Sequence, residues 1–204
     1  MRTDKIDNSD ISIRVAPLGN IDTSFLIKFK NGLQSELGRA IGKEPSCFFD
    51  VGNPEMIAHY KLPIVAYNHI TGKYNSHTVF LFGKEIRERT LKELGNQNAP
   101  LKILILTDYE LYKPGYKGVF FGEAEAGGDI AVIVTAQLKD ECNELLTIER
   151  TIKEALHVIG YTLGLEACNN PSCIMFSCKT KNELDIRSKN FCEDCLRKIA
   201  GGVK

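Results

Sequence analysis

The chain has 204 residues, 43% of them apolar and 25% charged, which is the composition of a soluble globular protein with one main core. Its 26 basic and 26 acidic residues cancel, which removes any global pull toward nucleic acid, a membrane surface or an acidic partner. The opening residues Met1–Asp7 lack an apolar leader, and no stretch nears the ~18 apolar residues of a membrane span, so the cytoplasm, where thiols stay reduced, is the expected location.

Residues 11–16 alternate apolar and polar, as a half-buried strand does, and Pro17–Asn20 ends it as a loop. Ile21, Phe25, Leu26, Phe29, Leu33 and Leu37 recur at three and four residues and predict a helix over 21–37, with Gly38 as its cap. A second strand is predicted at Ser46–Val51. Residues 52–75 carry Gly52, Pro54, Pro63 and Gly72 and read as a long irregular connection. A helix is expected over 77–94, stopped by Gly95. Strands are expected at Leu101–Leu106, Val119–Phe121 and Ile130–Val134, the last two joined by the turn Gly127-Gly128-Asp129. The clearest element is a helix over 145–163, in which Ile148, Ile152, Ala155, Leu156, Ile159 and Leu163 form one apolar stripe. His157 and Tyr161, four apart, stack on a neighbouring face. The order implies an α/β (α+β) sandwich on one mixed sheet. A single domain is expected across 1–204, with an upper subdomain over 1–165 and a small lower one over 166–204.

Four of the seven cysteines fall at ligand spacing, as Cys168-x4-Cys173 and Cys192-x2-Cys195. Two such pairs fold back on one tetrahedral zinc ion, which thiolates satisfy completely, leaving no open position for chemistry. One structural zinc is therefore expected, and Cys178 is expected to be a free thiol beside it. Cys47 and Cys142 read as small buried residues. Lys179, Lys181, Arg187, Lys189, Arg197 and Lys198 lie near enough in sequence to offset the thiolate charge, although solvated surface positions suit each of them as well. A structural zinc contributes roughly 10–16 kcal/mol of apparent binding energy, so a short tail of this kind is expected to depend on it for order.

The segment from His157 to Cys195 carries a recognisable frame: His157, Gly164, Cys168, Cys173, Met175, Cys192 and Cys195. It resembles the archaemetzincin family of metzincin (zincin-like) metallopeptidases, in which His-Glu-x-x-His-x-x-Gly is followed by a third zinc-binding histidine, the cysteine pairs and a Met-turn. Val15–Gly19, Leu62-Pro63 with Ala66–Asn68, Thr107–Tyr112 and Phe121–Glu125 resemble family segments in the same order. The resemblance thus spans nearly the whole chain and implies a mixed twisted sheet, an active-site-type helix and a small C-terminal lobe built on a four-cysteine zinc. The spacer of 16 residues between Met175 and Cys192 is one shorter than the family's.

The departures bear on function. The general-base glutamate falls at Val158, the second zinc histidine at Tyr161 and the third at Ala167, so His157 alone remains. A catalytic zinc needs three protein ligands and one open position. Without it, making hydroxide from water costs roughly 12 kcal/mol more, and losing the base removes a further factor of about 10²–10⁴. The resemblance therefore implies a pseudopeptidase with a peptide or protein segment in its cleft, held by strand addition along Ile130, Ala131, Val132, Ile133 and Val134. The alternative is a zinc-dependent metallopeptidase with a non-standard metal site of His157, Tyr161 and Glu166, with Glu154 also nearby. Tyr161 is expected to fill the vacated position and bond His157, Val158 and Ala167 to pack in a dry site, and Met175 to be a core residue. His59, His69 and His77 are isolated and read as non-ligands. A zinc-tail nucleic-acid binder is disfavoured by the neutral charge and the lack of interleaved aromatics.

Overall fold

A computed structural model describes residues 12–40, 62 and 64–201. In chain order these form β1 (Ser12–Leu18), α1 (Thr23–Ala40), a 3₁₀ turn (Ile64–Ala66), β2 (Tyr67–Asn68), β3 (Lys73–Asn75), α2 (Ser76–Glu93), β4 (Leu101–Thr107), β5 (Leu111–Tyr112), β6 (Gly122–Ala124), β7 (Ile130–Val134), α3 (Thr135–Leu138), α4 (Glu144–Thr162), α5 (Lys181–Ile186) and α6 (Glu193–Gly201).

The main sheet has the order β1-β4-β7-β6, with the first three strands parallel and β6 antiparallel along the outer edge. Strand alternation splits its side chains between two layers. Ile13, Val15, Leu104, Leu106, Ala131 and Ile133 face α1 and α4, while Ile103, Ile105, Ile130 and Val132 face α2. The result is a helix–sheet–helix sandwich. A second, small sheet of β2, β3 and β5 is built largely from the segment expected to be irregular. The Asn68 side chain accepts from the Ile70 and Thr71 amides, closing a hairpin turn over a run too short for periodicity to reveal. The expected strand Ser46–Val51 lies outside the described residues.

The helix boundaries follow their caps. Asp22 accepts from the Phe25 amide at the start of α1, and Asn75 and Asn143 cap α2 and α4 through the His77 and Leu146 amides. Gly38 does not stop α1, which runs on to Ala40 with Gly38 buried. Gly164 does stop α4. At φ 87 it lets its own amide reach Tyr161 O (2.8 Å) and the Leu165 amide reach Gly160 O (3.0 Å), a paired closure that leaves few carbonyls exposed.

The strand expected at Val119–Phe121 forms instead at Gly122–Ala124. Phe121 supplies only a carbonyl, which accepts from the Val134 amide at 2.8 Å. Residues 166–201 pack back on α4: Ile174, Met175, Leu184, Phe191 and Ile199 are buried in the same apolar cluster as Leu156 and Ile159. Cys142 is exposed just before α4, against the expectation of burial, because its amide is held in a turn by Asp140 Oδ1 (3.1 Å).

Candidate metal centre and cleft

The four cysteine sulfurs converge. Cys168 Sγ lies 3.8 Å from Cys192 Sγ and Cys173 Sγ lies 3.7 Å from Cys195 Sγ, and all four fall within 4.8 Å of one another. An ion about 2.3 Å from each sulfur would set tetrahedral edges of about 3.8 Å, whereas a disulfide would need ~2.05 Å. The donor set therefore fits a tetrahedral zinc and not a pair of disulfides. Local backbone supplies the second layer. The Met175 and Cys192 amides donate to Cys173 Sγ at 3.5 and 3.3 Å, and the Asn170 amide to Cys168 Sγ at 3.4 Å. A backbone hydrogen bond from Cys195 draws the Cys192 thiol down to about 7, while burial pushes Cys173 and Cys195 up. A bound divalent cation would ionise all four.

Four of the six nearby basic residues are committed elsewhere. Arg187 pairs with Glu154, Lys189 with Glu36 and Glu149, and Arg197 with Asp194, while Lys181 donates to Lys139 O. Cys178 stands apart from the cluster. It lines a cleft on the other side of the tail, with its thiol pushed up by burial.

That cleft, about 300 Å³, runs between the β6 edge and α4 and includes Gly122, Glu154, His157, Val158, Tyr161 and Arg187 among its walls. His157 is 7% exposed. Its Nδ1 lies 2.9 Å from Ile174 O, and since a carbonyl only accepts, Nδ1 carries the proton and Nε2 keeps its lone pair. Burial pushes the imidazole pKa below its usual value, opposed by the Glu154 carboxylate. Tyr161 meets His157 edge to face, with ring centroids 5.0 Å apart at 84°, so their contact is aromatic rather than the expected hydrogen bond. Val158 is buried in the cleft wall, as expected. Ala167 is exposed and outside the wall, which corrects the idea that it packs in a dry site: the chain leaves α4 at Gly164 and turns outward before Cys168. Met175 is fully buried beneath Gly160, where an added Cβ would come within 2.3 Å of its sulfur.

The residues present do not fit a second, catalytic ion. Among the described residues, the four cysteines are the group of His, Cys, Asp or Glu side chains close enough to share a metal. Glu166, offered as a partner for His157 and Tyr161, is exposed and does not line the cleft. His69 and His77 are exposed away from it, and His59 lies outside the described residues.

The expected docking edge also needs correction. Ile130–Val134 is flanked by β4 on one side and β6 on the other, and all five residues are buried. Among the described residues the free edge over the cleft is Gly122–Ala124, which a three-residue strand containing glycine did not advertise. Its hairpin is tied to the end of α4. The Gly127 amide donates to Tyr161 O (2.8 Å), and Lys102 Nζ donates to Gly128 O and Thr162 O (both 2.8 Å).

One pair escaped the sequence reading. Arg187 Nη2 donates to Glu154 Oε2 at 2.9 Å, with side-chain exposures of 1% and 6%, and Nη1 donates to Phe176 O. Arg187 Nε has no acceptor among the described residues. Arg150 and Lys153, on the same stretch of α4, are likewise buried and bonded by the tail, Arg150 gripping Asp185 through two bonds of 2.6 and 2.7 Å.

A helix–sheet–helix sandwich with an edge strand over a long helix, and a four-cysteine centre behind that helix, is the arrangement that the resemblance to zincin-type metallopeptidases implies. The sequence profile of peptidase family M54 matches residues 52–201, and the chain belongs to that family, the archaemetzincins. The archaemetzincin of Methanopyrus kandleri is 34% identical over 144 residues, 71% of this chain and 75% of that protein. That of Methanocaldococcus jannaschii is 30% identical over 193 residues, 92% of each. The crystal structure of the Methanopyrus kandleri protein superposes with a TM-score of 0.65 at 25% identity over 97% of both chains. A zinc-dependent peptidase from Methanocorpusculum labreanum, at 23% identity and a TM-score of 0.72 over 92% of this chain and 99% of its own, shares the fold. No helix among the described residues is long and apolar enough to cross a membrane.

Proposed function

We propose that this archaemetzincin has given up hydrolysis and keeps its cleft as a binding groove for a peptide or an extended protein segment. One structural zinc, held by Cys168, Cys173, Cys192 and Cys195, fixes the tail that forms the cleft's lower wall. The observation that carries the reading is the donor set under the β6 edge: one imidazole, His157, with the Glu154 carboxylate paired to Arg187, Val158 where a base would stand and Tyr161 in aromatic contact. Val158 takes no proton, and a single neutral imidazole does not hold zinc against water. Binding by strand addition needs only the unpaired backbone groups of Gly122–Ala124, which supply main-chain hydrogen bonds without a metal.

The test is a peptidase assay on the zinc-loaded full chain with a mixed peptide library, beside the variant Val158→Glu/Tyr161→His/Ala167→His. The wild type is expected to bind peptides and cleave none, and the triple variant to take up a second zinc, with the exposed loop at position 167 turning inward to bring its new imidazole over the cleft. Cleavage by the wild type that is lost on His157→Ala would refute the reading. A triple variant that folds and gains no metal would show that these three positions do not face one ion.

A further inference from the structure

The cleft holds a mismatched set of polar groups. Arg187 lines it, is 3% exposed, and gives Nη1 and Nη2 to Phe176 O and Glu154, while its Nε–H has no acceptor among the described residues. A buried donor left unmade is costly, so the wall is short of one acceptor. Close by are two acceptors to which no described residue donates. Glu154 gives Oε2 to the guanidinium, and its Oε1 lies under the edge strand, 3.1 Å from where a Cβ on Gly122 would sit. His157 Nε2 retains its lone pair because Nδ1 is spent on Ile174 O.

The charges cancel. Glu154 pairs with Arg187 on the floor and Lys113 with Glu123 on the rim. An entering carboxylate or ammonium would find no free counter-charge and would lose its water. An apolar side chain would leave the Arg187 donor unpaired. A group that is neutral and both accepts and donates satisfies the floor: its carbonyl oxygen toward the guanidinium, its N–H groups toward Glu154 Oε1 and His157 Nε2.

Building on the peptide-groove reading, we propose that this cavity is the groove's side-chain pocket and that it selects a carboxamide, glutamine or asparagine, through Arg187, Glu154 and His157. Its place directly beneath Gly122 puts it where a strand added to β6 would point a side chain. The absence of a Cβ at Gly122 leaves that path open, since one would come within 3.1 Å of Glu154 Oε1 and 3.2 Å of Val158 Cγ1 in the cleft wall.

The experiment uses the zinc-loaded full chain, labelled with ¹⁵N, and end-blocked alanine pentapeptides whose central residue is Gln, Asn, Glu, Lys or Met. Affinity is read from backbone shifts, and the Arg187 Nε–H signal is followed directly. Peptides with a central amide are expected to bind at least about tenfold tighter than the other three, because a site built to bond a polar group penalises ligands that lack it. They are also expected to move the Nε–H signal. The double variant Glu154→Gln/Arg187→Met should bind all five alike. Equal or tighter binding of the Glu, Lys or Met peptides overturns the pocket assignment while leaving the groove standing, and so does an amide preference that survives in the double variant. Binding of none of the five overturns the groove itself.

Discussion

Removing Arg187 tests the polar floor of the cleft without any assumption about ligands. In Arg187→Met the aliphatic stem is kept and the charge is lost. Glu154, 4% exposed, would then keep a carboxylate whose partner at 2.9 Å is gone. Breaking a buried pair from one side costs roughly 3–5 kcal/mol, because the remaining charge is neither solvated nor paired. For a chain of this size each kcal/mol moves Tm by about 2–4 °C, so the drop is roughly 6–20 °C. Glu154→Gln/Arg187→Met removes both charges and should recover most of the loss, since a buried pair is worth little over neutral groups of similar shape. The assay is thermal unfolding followed by circular dichroism at saturating zinc, with urea midpoints as a second reading. A single variant that melts within about 2 °C of wild type, or a double variant no better than the single, would refute the claim that these two charges are desolvated together.

Two further predictions concern the tail and the cleft histidine. Chelation should expose residues 166–201 to proteolysis, because the tail's order rests on the ion as well as on Ile174, Leu184 and Phe191. Unchanged protease resistance after verified zinc removal would contradict this. Stability should fall as pH drops below about 6.5. The unfolded chain protonates His157 near its ordinary value of 6.5, while the buried ring resists until a lower pH, so the unfolded state binds more protons across that window. The stability present above pH 6.5 is lost toward the folded pKa, and His157→Gln should flatten the profile between pH 7.5 and 5.5. Parallel profiles for the two proteins would count against a buried neutral imidazole.

Much of this architecture is legible in the sequence because it rests on periodicity. The apolar stripe of α4, the continuous runs of β4 and β7, and the stop at Gly95 each leave a pattern that packing then uses. The sulfur centre is legible because ligand spacing is a local property. The edge strand is not, since Gly122–Ala124 is too short to alternate and is defined by what β7 pairs with across the hairpin. The same limit explains the misplaced docking edge: an apolar run such as Ile130–Val134 marks a strand buried on both faces and flanked on both sides. Arg187 and Glu154 are 33 residues apart. In the sequence Arg187 is one basic residue among several near the cysteines, and only the fold turns it away from the sulfurs and under the cleft. Arg150, Lys153 and Glu154 are charged residues of α4 that the sequence does not mark as buried, yet the tail covers them.

The most direct test of the account is elemental analysis of the purified, refolding-competent full chain after dialysis against buffer free of chelator. One zinc per chain is predicted, released when Cys173 is replaced by serine and retained in His157→Ala. Two zinc ions per chain, one of them lost in His157→Ala, would contradict the assignment of the metal to structure alone.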